Sequence, residues 1–227
     1  MTLMKTGIAA LLAIVLTGIG IVAQAPAASA SPCGDAELIM VRGTDISRPV
    51  APHWASVDDP TVGRPLDAAV RAARPDLNWT LYNVSYPADS TGPRSRAIGA
   101  VDLVAHLVLR AIECPAARFV LAGYSQGAEV LSNALGMPSD DAPPAAVIPP
   151  LLAPRIAAVL LFASPIHAYN DVVPEPYTGQ TAQYCVPQDP ICNPASALPP
   201  DAGHGAHTPY GESIPGGGAS ERARHLI

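Results

Sequence analysis

The chain has 227 residues, enough for one large α/β domain, and with 49% apolar and only 14% charged residues it has the material for a packed core rather than a disordered chain. Its only lysine is Lys5, and from Ser31 onward 12 arginines stand against 19 aspartates and glutamates, a formal charge of −7 with no basic run. That balance argues against nucleic acid as a partner. A lysine Schiff base or lysine general base is likewise excluded beyond position 5.

The N-terminus reads as a targeting segment. Lys5 precedes an apolar run from Ile8 to Ala23, and Ala28-Ser29-Ala30 supplies the small-x-small pattern of a signal-peptidase site. Residues 1–30 are therefore expected to be a secretory signal peptide and residues 31–227 the functional domain. The alternative is an uncleaved membrane anchor, since the run is only just too short to span comfortably. Either reading exports the rest of the chain.

In chain order, Glu37 to Gly43 is a short apolar run ending at a glycine and reads as a strand, followed by a helical pattern from Val62 to Ala73. Trp79 to Tyr86 alternates large residues as a second strand, and Arg96 to Glu113 is a second helix. Arg118 to Gly123 and Arg155 to Ala163 are continuously apolar, as strands buried on both faces tend to be, so both should be central. A third helix, Gln126 to Leu135, lies between them. Met137 to Pro154 holds too many prolines for a regular element and reads as a surface excursion. From Pro187 onward the chain is loop-built. Strands alternating with helices of ten or more residues point to βαβ units and a parallel sheet covered on both faces.

Four cysteines, Cys33, Cys114, Cys185 and Cys192, allow three pairings in an oxidising compartment. The close pair Cys185 and Cys192 is most simply joined, which leaves Cys33 with Cys114. A metal site is the weaker rival, because neither Cys-x-x-Cys nor His-x-x-x-His spacing occurs.

The residues that carry chemistry begin at Gly123-Tyr124-Ser125-Gln126-Gly127, where the third strand gives way to a helix. A serine hydroxyl attacks only if an imidazole takes its proton, and it must also be accessible. A sharp strand-to-helix turn lifts it out of the sheet, and the crowding there demands small residues two before and two after, here Gly123 and Gly127. The Gln126 amide then sits at a helix N-terminus, free to bind an oxyanion. In such a corner the acid and the base follow in that order. Downstream carboxylates are Asp171, Glu175, Asp189, Asp201 and Glu212, of which Asp189 is enclosed by Cys185 and Cys192. Downstream histidines are His167, His204, His207 and His225. His167 precedes Asp189, and His225 is two residues from the C-terminus. His204 is flanked by glycines, whereas His207 is followed by Thr208, Pro209 and Tyr210, which stiffen and anchor its loop.

The chain resembles the cutinase family, including the cutinase-like esterases of actinobacteria, over essentially all of residues 31–227. The likeness rests on Cys33 followed by Arg42-Gly43-Thr44, on Cys114 followed by the serine corner, and on Cys185-x-x-x-Asp189-x-x-Cys192 followed by His207-x-x-Tyr210. It implies an α/β-hydrolase, a three-layer sandwich with a mostly parallel five-stranded sheet and no large lid. It further implies Ser125 as nucleophile, Asp189 as orienting acid, His207 as base, the amides of Thr44 and Gln126 as oxyanion hole, and disulfides Cys33–Cys114 and Cys185–Cys192. The chain departs from the family pattern in three ways. No glutamate follows the Arg42-Gly43-Thr44 turn, where Asp45, Ile46 and Ser47 stand; His204 competes with His207; and the final helix, Ala219 to Ile227, is short.

The expected function is a secreted serine esterase or lipase, extracellular or in the cell envelope, that hydrolyses short- to medium-chain acyl esters or lipids through an acyl-enzyme. No metal or organic cofactor is implied. The expected partners are an ester or lipid substrate and transient contact with lipid interfaces or the cell envelope, with the protein acting as a monomer. The rivals are an acyltransferase using the same acyl-enzyme and a secreted non-catalytic surface protein that retains the fold.

Overall fold

A computed structural model describes residues 33–44, 56–89, 93–138, 143–168, 172–196, 207 and 210. The expected signal peptide, residues 1–30, lies outside them, as do His204, His225, Asp171, Asp201, Glu212 and the expected final helix.

Five strands form one all-parallel sheet: β1 (Ala36–Val41), β2 (Trp79–Asn83), β3 (Arg118–Tyr124), β4 (Ile156–Phe162) and β5 (Thr181–Tyr184), in the spatial order β2-β1-β3-β4-β5. The helices between them are α1 (Gly63–Ala73), α2 (Pro93–Glu113), α3 (Gln126–Ala134) and α4 (Pro165–Ala168). Residues of β1, β3 and β4 are buried apart from Arg118, whereas β2 and β5 at the edges are mostly half-buried.

Alternation along the strands divides the core in two. Ile39, Val41, Phe119, Leu121, Val159 and Leu161 face α2 and α3, meeting Leu103, Leu107, Ala128 and Leu131. Leu38, Met40, Val120, Ala122, Leu160 and Phe162 face the other way, onto Leu66 and Val70 of α1 and Val62 just before it. Parallel strands need crossover helices on the sheet faces, so runs buried on both sides read as continuously apolar. The three-layer arrangement follows.

Most boundaries fall within one or two residues of the sequence expectation, and three differ by more. Strand β2 stops at Asn83 rather than Tyr86, because the Ser85 N–H is taken at 2.9 Å by the Asp102 carboxylate of α2. Helix α2 starts at Pro93 rather than Arg96; proline suits a first helical turn, whose N–H has no intrahelical acceptor. The segment Met137–Pro154, expected to be irregular, ends in a 3₁₀ turn at Pro150–Arg155 with Leu152 and Ala153 buried. Arg155 anchors that turn by donating to the carbonyls of Ala111, Cys114 and Ala117, at the end of α2.

Chain order places the site. The chain runs from β1 outward to β2, then returns across to β3 on the other side of β1 and continues to β4 and β5. The sheet therefore has a switch point between β1 and β3, and the crevice beyond the carboxyl ends there is where open parallel sheets bind ligands. Thr44 follows β1 and Ser125 follows β3. Among the described residues no helix is long and apolar enough to cross a membrane.

The corner itself is set by backbone approach. A Cβ on Gly123 would lie 2.5 Å from the Gly127 carbonyl oxygen, and one on Gly127 would lie 2.1 Å from the Val41 oxygen and 2.5 Å from the Arg42 oxygen. Backbone cannot swing aside as a side chain can. Gly127→Ala should therefore push α3 off β1, costing about 3 kcal/mol or more in chemical denaturation, at the upper end of overpacking effects; a change below about 1 kcal/mol would show that the corner has room.

Candidate active site

Ser125 joins β3 to α3 with φ 53° and ψ −120°, a region an L-residue enters only when its surroundings over-determine it. Its N–H donates to the Phe162 carbonyl of β4 at 2.9 Å, and its own carbonyl accepts from Ala128 N–H at 2.8 Å. The side chain is thereby raised above the carboxyl edge of the sheet. There Ser125 Oγ lies 2.9 Å from His207 Nε2, and His207 Nδ1 lies 2.8 Å from Asp189 Oδ2.

Asp189 is wholly buried, in the loop closed by the Cys185–Cys192 disulfide. Its Oδ1 accepts from Ile191 N–H at 2.9 Å, and its Oδ2 accepts from Tyr210 Oη at 2.6 Å as well as from His207. Burial alone would raise its pKa, but the hydrogen bonds from His207, Tyr210 and Ile191 outweigh it and hold the carboxyl below the usual range. An ionised carboxylate only accepts, so the hydrogen of a neutral His207 sits on Nδ1 and leaves the Nε2 lone pair facing the serine hydroxyl.

Tyr124, the residue before the serine, also holds the histidine. Its hydroxyl donates to the His207 carbonyl at 2.5 Å, and its ring stacks on the imidazole with centroids 5.1 Å apart. Burial pushes the Tyr124 hydroxyl pKa well above its ordinary value, so it remains a donor.

Beside the serine lies the turn after β1. A Cβ on Gly43 would come within 2.7 Å of the Tyr124 ring and 3.4 Å of Ser125 Cβ, so the turn runs alongside the nucleophile at Gly43. The turn is held from two sides. Arg42 donates through Nη2 to the carbonyls of Tyr86 and Pro87, while Tyr86 Oη donates to the Arg42 carbonyl at 2.5 Å. On the other side, buried Asp59 takes the N–H groups of Thr61, Val62 and Gly63 on Oδ1, capping α1, and that of Gly43 on Oδ2 at 3.3 Å. Burial raises the Asp59 pKa despite these four backbone donors. At the first turn of α3, the Gln126 side chain donates to the Asp89 carbonyl at 2.7 Å, just after Ala88, which has φ 50°.

The structure thus brings together Ser125, His207 and Asp189, with Gln126 next in the chain at the start of α3 and Gly43, the neighbour of Thr44, against Ser125; the cysteines pair as Cys33–Cys114 and Cys185–Cys192, with none free. His167 falls in α4, and Glu175 is exposed in the loop before β5. Sequence reasoning did not single out Asp59, Tyr86 or the hydroxyl of Tyr124. Asp59 had a legible signal: an aspartate before Pro60 and Thr61 at a helix start is a capping pattern.

A protein-family model described as cutinase matches residues 32–220. The chain belongs to the cutinase family. The carboxylesterase Culp1 of Mycobacterium tuberculosis is 31% identical over 176 residues, 73% of this chain and 72% of its own. The probable carboxylesterase Culp2 of the same organism is 34% identical over 181 residues, 76% of this chain and 69% of its own. A Trichoderma reesei cutinase solved with a phosphonate inhibitor shares the fold, with TM-score 0.61 at 23% identity over 86% of this chain and 76% of that one. By family and relatives, this cutinase-family chain is a carboxylic ester hydrolase.

Two predictions follow from how this cutinase-family site is held. Asp59→Asn keeps an oxygen for the α1 cap but sets an NH₂ against the Gly43 N–H. Stability should stay within about 1 kcal/mol, because the cap survives and no charge is buried, while kcat falls about tenfold or more as the turn shifts. Equal losses in stability and kcat would place Asp59 in the fold alone. Closing the Cys185–Cys192 loop contributes about 2.5 kcal/mol in the chain-entropy picture. Paired Cys185→Ser and Cys192→Ser substitutions should nevertheless cost far more activity than melting temperature, because Asp189 loses its frame. A steep fall in melting with normal specific activity of the folded fraction would contradict this.

Proposed function

We propose that the protein is an exported serine esterase that hydrolyses short- to medium-chain carboxylic esters through an acyl-enzyme. The observation that carries this reading is the unbroken hydrogen-bond chain Ser125–His207–Asp189 at the switch point of the sheet. Ser125 Oγ attacks the acyl carbon as its proton passes to His207 Nε2. The oxyanion is met by the amides of Thr44 and Gln126. Collapse expels the alcohol, which leaves with the proton from Nε2. Water then attacks the acyl-serine with His207 again as base, and the carboxylic acid departs. Asp189 stays ionised throughout, fixing the tautomer and stabilising the transient imidazolium.

Export rests on the Lys5 and Ile8–Ala23 pattern of the N-terminus. The pairing of all four cysteines fits an oxidising compartment. A half-exposed serine suits esters presented in solution or at a lipid interface, with the protein acting as a monomer.

The test is a fluorophosphonate label combined with turnover across p-nitrophenyl esters of increasing acyl length. The wild type should label and favour short to medium chains, and Ser125→Ala should lose about 10⁴-fold or more in kcat with unchanged circular dichroism. An unlabelled, inactive wild type would make the chain a surface protein that only retains the fold. His207→Ala should abolish acylation and His204→Ala should leave it near wild type; the reverse result would exchange their roles. Partitioning of the acyl group to added methanol in preference to water would identify an acyltransferase.

A further inference from the structure

Tyr210 Oη meets three neighbours. It lies 3.0 Å from Val186 N, 3.3 Å from Cys192 Sγ and 2.6 Å from Asp189 Oδ2. The Val186 N–H can only donate, so Oη accepts there. Cys192 is disulfide-bonded and has no S–H to give, and its sulfur is a weak acceptor beside a carboxylate. The single hydrogen of the phenol is therefore committed to Oδ2, the same oxygen that accepts from His207 Nδ1.

The phenol is also fixed independently of the histidine. Tyr210 is buried, with its ring edge-on to Phe162 at 6.4 Å and tilted against Tyr124 at 5.9 Å. It holds the carboxylate whether or not the imidazole is charged. A carboxylate oxygen shared between two donors has less charge to offer each of them than one serving a single donor.

We propose that Tyr210 is a positioning residue whose hydroxyl, bonded to Asp189 Oδ2, fixes the carboxylate and weakens its pull on the His207 imidazole, so that the base sheds its proton more readily. This rests on the reading of His207 as the base. Among the described residues, the ionisable groups recorded against this cluster are Ser125, Tyr124, Tyr210, Asp189 and His207, with Asp59 acting on Tyr124 through space. The Cys185–Cys192 disulfide does not titrate. Burial pushes both tyrosines well above their ordinary range, so both hydroxyls keep their hydrogens near neutral pH.

The experiment is an NMR titration of the His207 imidazole in the full chain, its signal assigned by loss in His207→Ala. Tyr210→Phe should raise the midpoint by about half a pH unit or more, and the acid limb of kcat/KM should move up with it. Tyr210→3-fluorotyrosine, installed by amber suppression, is a stronger donor of nearly the same size and should lower the midpoint. It also keeps the test available if the phenylalanine variant fails to fold. A midpoint that stays put, or moves in the opposite sense, overturns the proposal, because a merely structural role would change stability alone. The titration is read without turnover. A wild type that hydrolyses no ester would therefore overturn the esterase mechanism while the titration still judges Tyr210.

Discussion

The geometry of the site depends on one backbone conformation, that of Ser125. A residue with a Cβ is held at φ 53° between a strand and a helix, and nothing in its own chemistry favours that position. The neighbours impose it. Phe162 of β4 takes its N–H, the first turn of α3 takes its carbonyl, and Gly123 and Gly127 let α3 come down on the ends of β1 and β3. Because the same approach brings Gly43 against Tyr124 and Ser125, one strained residue aligns the edges of three strands.

Two buried aspartates, one on each side of this corner, separate what backbone amides can do for a carboxylate from what side chains can. Asp59 collects four backbone N–H groups, yet burial prevails and its pKa rises. Asp189 collects one backbone N–H together with an imidazole and a phenol, and its pKa falls despite burial. The difference is one of function as well as energy. A carboxylate that only ties a turn and caps a helix tolerates a raised pKa, whereas one that must stay ionised beside a proton-shuttling imidazole needs partners that favour its charge. The sign of the Asp189 shift means that its contribution to stability is complete above the ordinary aspartate range and is lost as pH falls through the depressed value.

Much of the fold was legible because burial on both sheet faces leaves a plain pattern. The runs Arg118–Gly123 and Arg155–Ala163 have no polar interruption and lie within one or two residues of β3 and β4. Strand β5 was not legible from its residues: Thr181-Ala182-Gln183-Tyr184 is an edge strand of four half-buried residues, and an edge imposes no apolar alternation. Ser125 could be found because a strand-to-helix corner forces glycines at fixed offsets, and Asp189 because two cysteines frame it. Tyr124 and Asp59 were harder to see. The bonds from Tyr124 to His207 and from Gly43 to Asp59 span 83 and 16 residues of sequence, which no local pattern encodes; only the helix-capping part of the Asp59 role has a local signal.

The base of the site lies in the part of the sequence after Pro187, which is rich in proline, glycine and alanine. That placement is workable because the segment is pinned at points that belong elsewhere. One is the eight-residue disulfide loop Cys185–Cys192 beside β5; the other is the hydroxyl of Tyr124, which grips the His207 main chain from the end of β3. Tyr124 acts as a ruler, setting nucleophile and base one side chain apart whatever the intervening loop does. Changes of length or sequence between Cys192 and His207 can therefore accumulate while the reacting atoms keep their spacing, so this stretch is free to diversify around a fixed centre.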